Sequence, residues 1–421
     1  MNRSFKLIAP LAAALAIAAC NASNSSNMPA TTGLPQSVAQ APAHSVPEWE
    51  AKHQARRACK DLGNGVRCFS LLSTYHAGPL ACSPSGGCGW RPIDLQTRYK
   101  LTPFIGKGSG TIVAVIELGD LSTAASDLST YRSEYNLGTA PFAKYNENGQ
   151  QSNYPPSCSE FGFCLEADLD IEMVAAICPK CTIYMIEGGN CGQTVCGLEN
   201  AETEAVKLGA TILSNSWGCH TGVYGPNCGD PNFPNYFNAP GVAYIASSGD
   251  SGYPEIEWPA TLDNVLAVGG TQLEKSGSKF TETIWNGAGA GCSTSITKPS
   301  WQHDPGCSGR TISDVSAQAG CSPGVAEYDS DYYGWVDTCG TSVAAPIIAG
   351  IVALSGNYSS IFGGKTFWKL TNRQHKTRFH VINSGSDGSC GGSYLCTAGT
   401  HQFKTYSGPG GWGSPNGIKA F

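Results

Sequence analysis

The chain alternates short, continuous apolar runs with longer apolar or amphipathic stretches. "TIVAVIEL" at 111–118 is an unbroken β-branched run of strand length, which predicts a strand buried on both faces. "TIYMIEG" (182–188) predicts the next buried strand, and "TILSNSWG" (211–218), "GVAYIASSGD" (241–250) and "NVLAVGGT" (264–271) predict three more. "DLDIEMVAAI" (168–177), "ENAETEAVKLGA" (199–210) and the strongly apolar "GTSVAAPIIAGIVALSG" (340–356) read as helices. Strands alternating with helices imply an α/β fold, a parallel sheet with helices on both faces. In such sheets, polar residues just past the C-terminal strand ends line the functional crevice.

The pattern before about residue 93 is different. Residues 1–19, MNRSFKLIAPLAAALAIAA, place Arg3 and Lys6 ahead of an apolar run that ends in small residues, the layout of a secretory signal. The run is shorter than the roughly 20 residues a bilayer span needs. Ile17-Ala18-Ala19-Cys20 resembles a bacterial lipobox, so Cys20 is expected to carry a lipid and become the mature N-terminus. A signal peptide with a chance cysteine is the alternative. Residues 20–50 then read as the lipidated cysteine and a flexible tether rich in Asn, Ser, Ala, Thr and Pro. Residues 51–92 hold four cysteines and few aliphatics, a small Cys-bearing segment with little core of its own. The α/β domain follows over 93–421. The expected location is the cell envelope, lipid-anchored at the outer membrane or cell surface, or released from it.

Composition narrows the classes. Charged residues make up only 14% of the chain, against roughly 25% in soluble domains. A net charge of −6 without basic runs argues against nucleic acid as a partner. Nineteen cysteines, less Cys20, leave eighteen, an even number that favours disulfides in an exported chain. Close spacing suggests local pairs: Cys59–Cys68, Cys82–Cys88, Cys158–Cys164, Cys191–Cys196, Cys219–Cys228 and Cys390–Cys396. "CPKC" (178–181) with "CGQTVC" (191–196) also has zinc-ligand spacing, but structural disulfides are the reading favoured here. No internal repeat and no GxxxxGK[ST] phosphate loop is present.

"TCGTSVAAP" (338–346) reads as a serine nucleophile opening a buried helix. Ser342 would sit where free N–H groups and the helix dipole favour a developing oxyanion. None of the histidines (44, 53, 76, 220, 303, 375, 380, 401) has the context of a subtilisin-type base, such as His-Gly-Thr at a helix start. Carboxylates are the better candidates. In "CLEADLDIEM", Glu166 and Asp170 lie four apart and share one helix face, while Asp168 and Glu172 point elsewhere. Solvated surface acids are the alternative, weakened by the apolar neighbours Leu165, Leu169, Ile171, Met173 and Val174.

These residues carry a resemblance. "AVIELG" (114–119), "EADLD" (166–170), "SNSWG" (214–218), "ASSGDSG" (246–252), "PSWQHDPGCSGRTISDVSA" (299–317) and "GTSVAAP" (340–346) resemble, in order, the sedolisin family of serine-carboxyl peptidases, from about Pro92 to Phe421. The resemblance implies a subtilisin-like fold and an endopeptidase acting under acidic conditions on protein or peptide substrates, as a monomer. It implies Ser342 as nucleophile, Glu166 as base, Asp170 as the residue orienting Glu166, and Asp250 as the oxyanion residue, with Glu117 and Trp217 in a supporting network. Glu166 must be ionised while Asp250 is protonated, which requires environments that push their pKa values apart. Two other readings stay open: a non-catalytic surface lipoprotein with a peptidase-like binding body, and an ordinary subtilase with a histidine base and a neutral-to-alkaline optimum.

The chain departs from the family pattern twice. The family's C-terminal calcium loop has aspartates where Val381 and Gly413 stand here. Ca²⁺ affinity follows ligand charge, so no metal or other cofactor is expected, although a small alignment shift would recruit Asp387. The family also carries a long globular pro-domain. About seventy residues between Cys20 and the catalytic part are too few for one, and the Cys-bearing segment would serve as a short inhibitor or a brace.

Overall fold

The computed structural model describes residues 46–60, 62, 65–75, 88–189, 195–220, 226–332, 334–400 and 405–421. The signal segment, Cys20 and the tether up to residue 45 lie outside them, as do Cys82 and Cys191 of two suggested disulfides.

In chain order the strands used below are β1 (Ala55–Arg57), β2 (Val66–Cys68), β3 (Leu71–Ser73), β4 (Ile112–Leu118), β5 (Phe142–Asn146), β6 (Thr182–Gly188), β7 (Ile212–Asn215), β8 (Trp217–His220), β9 (Ala243–Ser247), β10 (Glu257–Trp258), β11 (Val265–Ser276), β12 (Lys279–Ile284), β13 (Gly291–Thr297), β14 (Gly309–Ile312), β15 (Val315–Gln318), β16 (Val325–Asp329) and β17 (Gly334–Cys339). The main sheet runs β12-β11-β9-β7-β4-β6-β5, with β15 also paired to β11. Strands β7 and β9 are buried at every residue, as the continuous apolar runs predict for strands covered on both sides.

The expected parallel sheet is present, with one antiparallel strand added at its edge. Strand β12 pairs antiparallel with β11 because β11 runs past the core into an exposed end, and Gly277, with φ +60°, lets the chain double back at once. "TIYMIEG" forms β6 over the predicted residues. The run predicted at 211–218 breaks at Ser216: β7 stays in the main sheet, while β8 joins β10 and β2.

Two helices sit at the centre. Cys164–Ile177 is buried along its whole length, and Thr341–Ser355 is buried through Leu354. They touch closely, since a Cβ at Gly350 would stand 2.8 Å from Ile177. Neither helix presents a face to solvent, so both lie between layers.

The Cys-bearing segment is woven into this body. Strand β2 pairs antiparallel with β8, and β3 pairs with both β1 and β17. Trp49, Val66 and Leu71 join the main hydrophobic core. Cys59–Cys68, Cys158–Cys164, Cys219–Cys228 and Cys390–Cys396 are disulfides, together with Cys178–Cys181, Cys292–Cys307 and Cys321–Cys339. "CPKC" is therefore a disulfide turn.

Candidate active site

Strand β17 ends at Cys339, and Gly340 turns the chain into the Thr341–Ser355 helix with φ +107°. Only glycine takes that angle without strain. Space demands it too: a Cβ there would lie 2.0 Å from the Phe69 carbonyl oxygen and 2.7 Å from Asp250 Oδ2. The turn sets Ser342 in the first helical turn, fully buried. Pro346 lacks the N–H that would bond the Ser342 carbonyl, and the Ser216 hydroxyl lies 3.4 Å from that oxygen instead.

Ser342 Oγ donates to Glu166 Oε2 at 2.8 Å and lies 3.2 Å from the Ser216 carbonyl oxygen. Four residues along the helix, Asp170 Oδ1 accepts from Ser216 Oγ at 2.7 Å. Glu117, at the end of β4, hydrogen-bonds Asp170. Three carboxyl groups thus line up behind one hydroxyl. On the other side of Ser342, Asp250 Oδ1 accepts from Thr341 N–H at 2.8 Å and from Thr341 Oγ1 at 2.9 Å. Asp250 Oδ2 is buried with no hydrogen-bond partner, and Trp49 Nε1 donates to the Asp250 carbonyl at 2.7 Å.

Burial dominates the electrostatics. It raises Glu166 well above the carboxylate range, helped by the Asp170 charge and opposed by hydrogen bonds from Ser342 and Ser70. Burial likewise lifts Asp170 to about 7, against the bonds from Ser216 and Glu117. Glu117 is raised by burial and by Asp170 and Glu166, and is the proton donor of the group. Asp250 is pushed up to about 8 by burial, so it is neutral through the acid range, and its free Oδ2 can carry a proton to donate. The arrangement can pass the Ser342 proton to Glu166 and offer a neutral donor beside the Ser342 N–H.

The predicted site residues Ser342, Glu166, Asp170, Asp250 and Glu117 are therefore brought together. Trp217 stands apart from the hydrogen-bonded chain: its indole meets Phe233 edge-on with centroids 6.2 Å apart, and its Nε1 has no partner. Asp168 and Glu172 do face away from Ser342, but they are buried as well, and Glu172 Oε2 accepts from Tyr328 N–H at 3.0 Å. Ser216, Thr341 and Ser70 escaped sequence reasoning. Serine and threonine hydroxyls have no periodic signature, and the "SNSWG" match was the one hint of Ser216. Among the described residues no imidazole hydrogen-bonds Ser342; His375 stacks on Trp412 and His303 meets Trp368 edge-on. At the C-terminal loop, Gly413 has φ +109°, and a Cβ there would lie 2.2 Å from the His380 carbonyl oxygen. That position does not fit a carboxylate ligand. Asp387 is buried with both oxygens unpartnered, but Val381 and Gly413 bring no second carboxylate to it, and this donor set does not fit Ca²⁺.

Fold and site together define a class: a subtilisin-like α/β body whose buried serine opens a central helix and is served by carboxyl groups. The subtilase family model matches residues 143–387. Sedolisin of Pseudomonas sp. (strain 101) is 28% identical over 395 residues, covering 84% of this chain and 64% of its own length. Kumamolisin of Bacillus sp. (strain MN-32) is 29% identical over 296 residues, covering 63% of this chain and 51% of its own length. The solved structure of Pseudomonas sedolisin, described as a serine-carboxyl proteinase complexed with two molecules of pseudo-iodotyrostatin, superposes with a TM-score of 0.66 at 25% identity, covering 79% of this chain and 96% of that one. The chain belongs to the subtilase family and, within it, to the sedolisins. It spans about half to two-thirds of the length of these curated relatives.

Proposed function

We propose that this chain is a serine-carboxyl endopeptidase acting on proteins or peptides on the acid side of neutrality. The observation that carries the reading is the 2.8 Å hydrogen bond from Ser342 Oγ to Glu166, a nucleophile within reach of a carboxylate base. Ser342 adds to the substrate carbonyl as its proton passes to Glu166. The Ser342 N–H and the neutral Asp250 carboxyl hold the developing negative oxygen. Asp170, anchored by Ser216 and by the protonated Glu117, keeps Glu166 oriented. No metal at the C-terminal loop belongs to this reading.

The working range has two limits. On the alkaline side, activity falls as Asp250 loses its proton around 8. On the acid side, it falls as the Glu166–Asp170 pair becomes fully protonated. Burial is the first cause of each raised value, so water entering with a substrate moves these limits toward ordinary carboxylate values. Export and lipidation at Cys20 complete the proposal; among the described residues no helix is long and apolar enough to cross a membrane.

The test is fluorophosphonate labelling of acid-incubated protein at pH 4, with a mixed-peptide digest at several pH values. Modification at Ser342 and hydrolysis below pH 7 are expected. No modification, or a maximum above pH 8, rejects the reading and favours a non-catalytic body or a histidine base.

A further inference from the structure

The face of the Cys164–Ile177 helix turned away from Ser342 meets two other elements, and each of the three supplies an acid. Asp127 sits in the first turn of the helix Ala124–Glu134, Asp168 lies between Glu166 and Asp170, and Asp329 ends β16. One oxygen from each lies within 4.8 Å of the other two. All three side chains are buried. Asp127 Oδ2 accepts from Ser330 N–H at 3.3 Å and from Ser330 Oγ at 2.8 Å, and Ser126 Oγ reaches Asp127 Oδ1 at 3.4 Å. Asp329 Oδ1 accepts from Tyr332 N–H at 2.9 Å. Asp329 Oδ2 and both oxygens of Asp168 have no hydrogen-bond partner. Among the described residues no lysine or arginine pairs with any of the three. The charges acting on Asp168 belong to Asp329, Asp127, Glu327 and Asp331, all of one sign.

Such a group is incomplete as it stands. Buried charges are paired or bound to metal; an ionised Asp168 here has neither donor nor cation, and a protonated one has an O–H without an acceptor. A divalent cation would answer all three carboxylates at once. The donors are hard oxygens with no imidazole or thiolate among them, which suits Ca²⁺, Mg²⁺ or Mn²⁺. The 4.8 Å limit is about the span between opposite oxygens on Ca²⁺, whose bonds run about 2.3–2.6 Å. Mg²⁺ draws its ligands to about 2.1 Å in a strict octahedron and keeps several waters, for which buried ligands leave little room. Ser330 and Asp331, exposed in the turn after β16, give the ion a way in.

We propose that Asp127, Asp168 and Asp329 form a Ca²⁺ site that ties the helix bearing Glu166 to the strand pair leading to Ser342. Asp168 brings two open oxygens and Asp329 one, and Asp127 joins them from the third element. Strand β16 pairs with β17, which runs into the Gly340 turn and the Thr341–Ser355 helix. An ion between Asp168 and Asp329 therefore fixes the spacing of the elements that carry the carboxylate and the hydroxyl. Its role is structural, since it touches no reacting atom. The site shares no residue with the C-terminal loop, and it departs from the expectation, drawn from that loop, of a chain without metal. It does not depend on the peptidase reading. Where a chelator withholds the ion, protons must neutralise the group instead, and stability then follows the titration of the carboxyl groups themselves.

The experiment uses the full Ser342→Ala chain at pH 7, stripped with EDTA, dialysed and titrated with CaCl₂ in a calorimeter, with thermal unfolding followed in parallel. Expected are one Ca²⁺ per chain with a Kd of about 10⁻⁷–10⁻⁵ M, Mg²⁺ binding about tenfold weaker or more, and an unfolding midpoint raised by about 5 °C or more at a hundredfold excess of free Ca²⁺ over Kd. Adding Asp168→Asn should abolish the response to Ca²⁺, while in EDTA its midpoint should equal or exceed that of the parent because a like charge is gone. If that variant fails to fold, Asp329→Asn serves instead and should weaken binding about 100-fold or more, since residues that merely support a ligand are worth about 10- to 100-fold. Asp387→Asn, at the C-terminal loop, should bind Ca²⁺ as the parent does. No binding by the parent, or binding that survives Asp168→Asn and is lost in Asp387→Asn, overturns the inference, and so does tighter binding of Mg²⁺ than of Ca²⁺. Each of these results leaves the peptidase reading standing, because that reading is judged by labelling and hydrolysis.

Discussion

Stability should fall as pH rises from 4 to 8. Behind the Cys164–Ile177 helix lies a group of buried acids. Asp168, Glu172 and Glu327 are raised well above the carboxylate range by burial and mutual repulsion. Asp329 in the same group is raised to about 6, and Asp337, on the opposite face of β17 beside Gly324 and Ser73, to about 7, burial being the leading cause for both. In the unfolded chain these groups titrate near 4. Between that value and the raised one, the folded state holds protons that the unfolded state has lost, so stability declines with pH across that window and levels off above it. At about 1.4 kcal/mol per unit, the shift of Asp337 from 3.8 to about 7 corresponds to roughly 4 kcal/mol lost by pH 8. That is a large part of a typical folding free energy of about 5–15 kcal/mol. Asp337→Asn removes the titrating group at nearly constant shape. Thermal and urea unfolding of Ser342→Ala protein, used to prevent self-digestion, should give a higher midpoint at pH 4 than at pH 8. Adding Asp337→Asn should leave the pH 4 value nearly unchanged and raise the pH 8 value by several degrees. A midpoint that rises from pH 4 to pH 8, or an Asp337→Asn curve parallel to its parent, would refute the reasoning.

Other substitutions probe the site and its support. Asp250→Ala should lower kcat about 10²- to 10³-fold, as loss of one oxyanion donor does. Asp250→Asn, which keeps both an acceptor for Thr341 and a donor, should recover most of the rate at pH 4 and lose the alkaline fall near pH 8. Ser342→Ala should abolish hydrolysis and fluorophosphonate labelling with unfolding midpoints unchanged at each pH. Glu117→Gln retains a donor to Asp170 and should keep the acid limb of the pH–rate profile in place, whereas Glu117→Leu removes a bond that lowers Asp170 and should move that limb upward. Asp314 pairs with Arg310 at 2.6 Å, both side chains fully buried, so Asp314→Ala should cost about 3–5 kcal/mol in urea unfolding by leaving the guanidinium unpaired.

Much of the central sheet could be read from the chain because β-branched runs buried on both sides leave an unbroken apolar signature; β6 coincides with its run. The strands that close the site could not. β3 and β17 pair across more than 260 positions, and β2 meets β8 across about 150; local pattern holds no record of such partners. The spacing of Glu166 and Asp170 was readable because it is a helical period. Its depth was not, since an acidic helix ordinarily faces water, whereas here Asp168 and Glu172 on the remaining faces are buried too. Ser216 shows the limit most clearly. It separates β7 from β8 and bridges Asp170 to the Ser342 backbone, a role set by where two sheets diverge.

Strands β2 and β3 belong to different sheets, one built on β8 and β10, the other on β17 and β16. The dipeptide Phe69-Ser70 is therefore a stitch joining two walls of the cleft. Neither wall can therefore shift without carrying one residue of that pair with it.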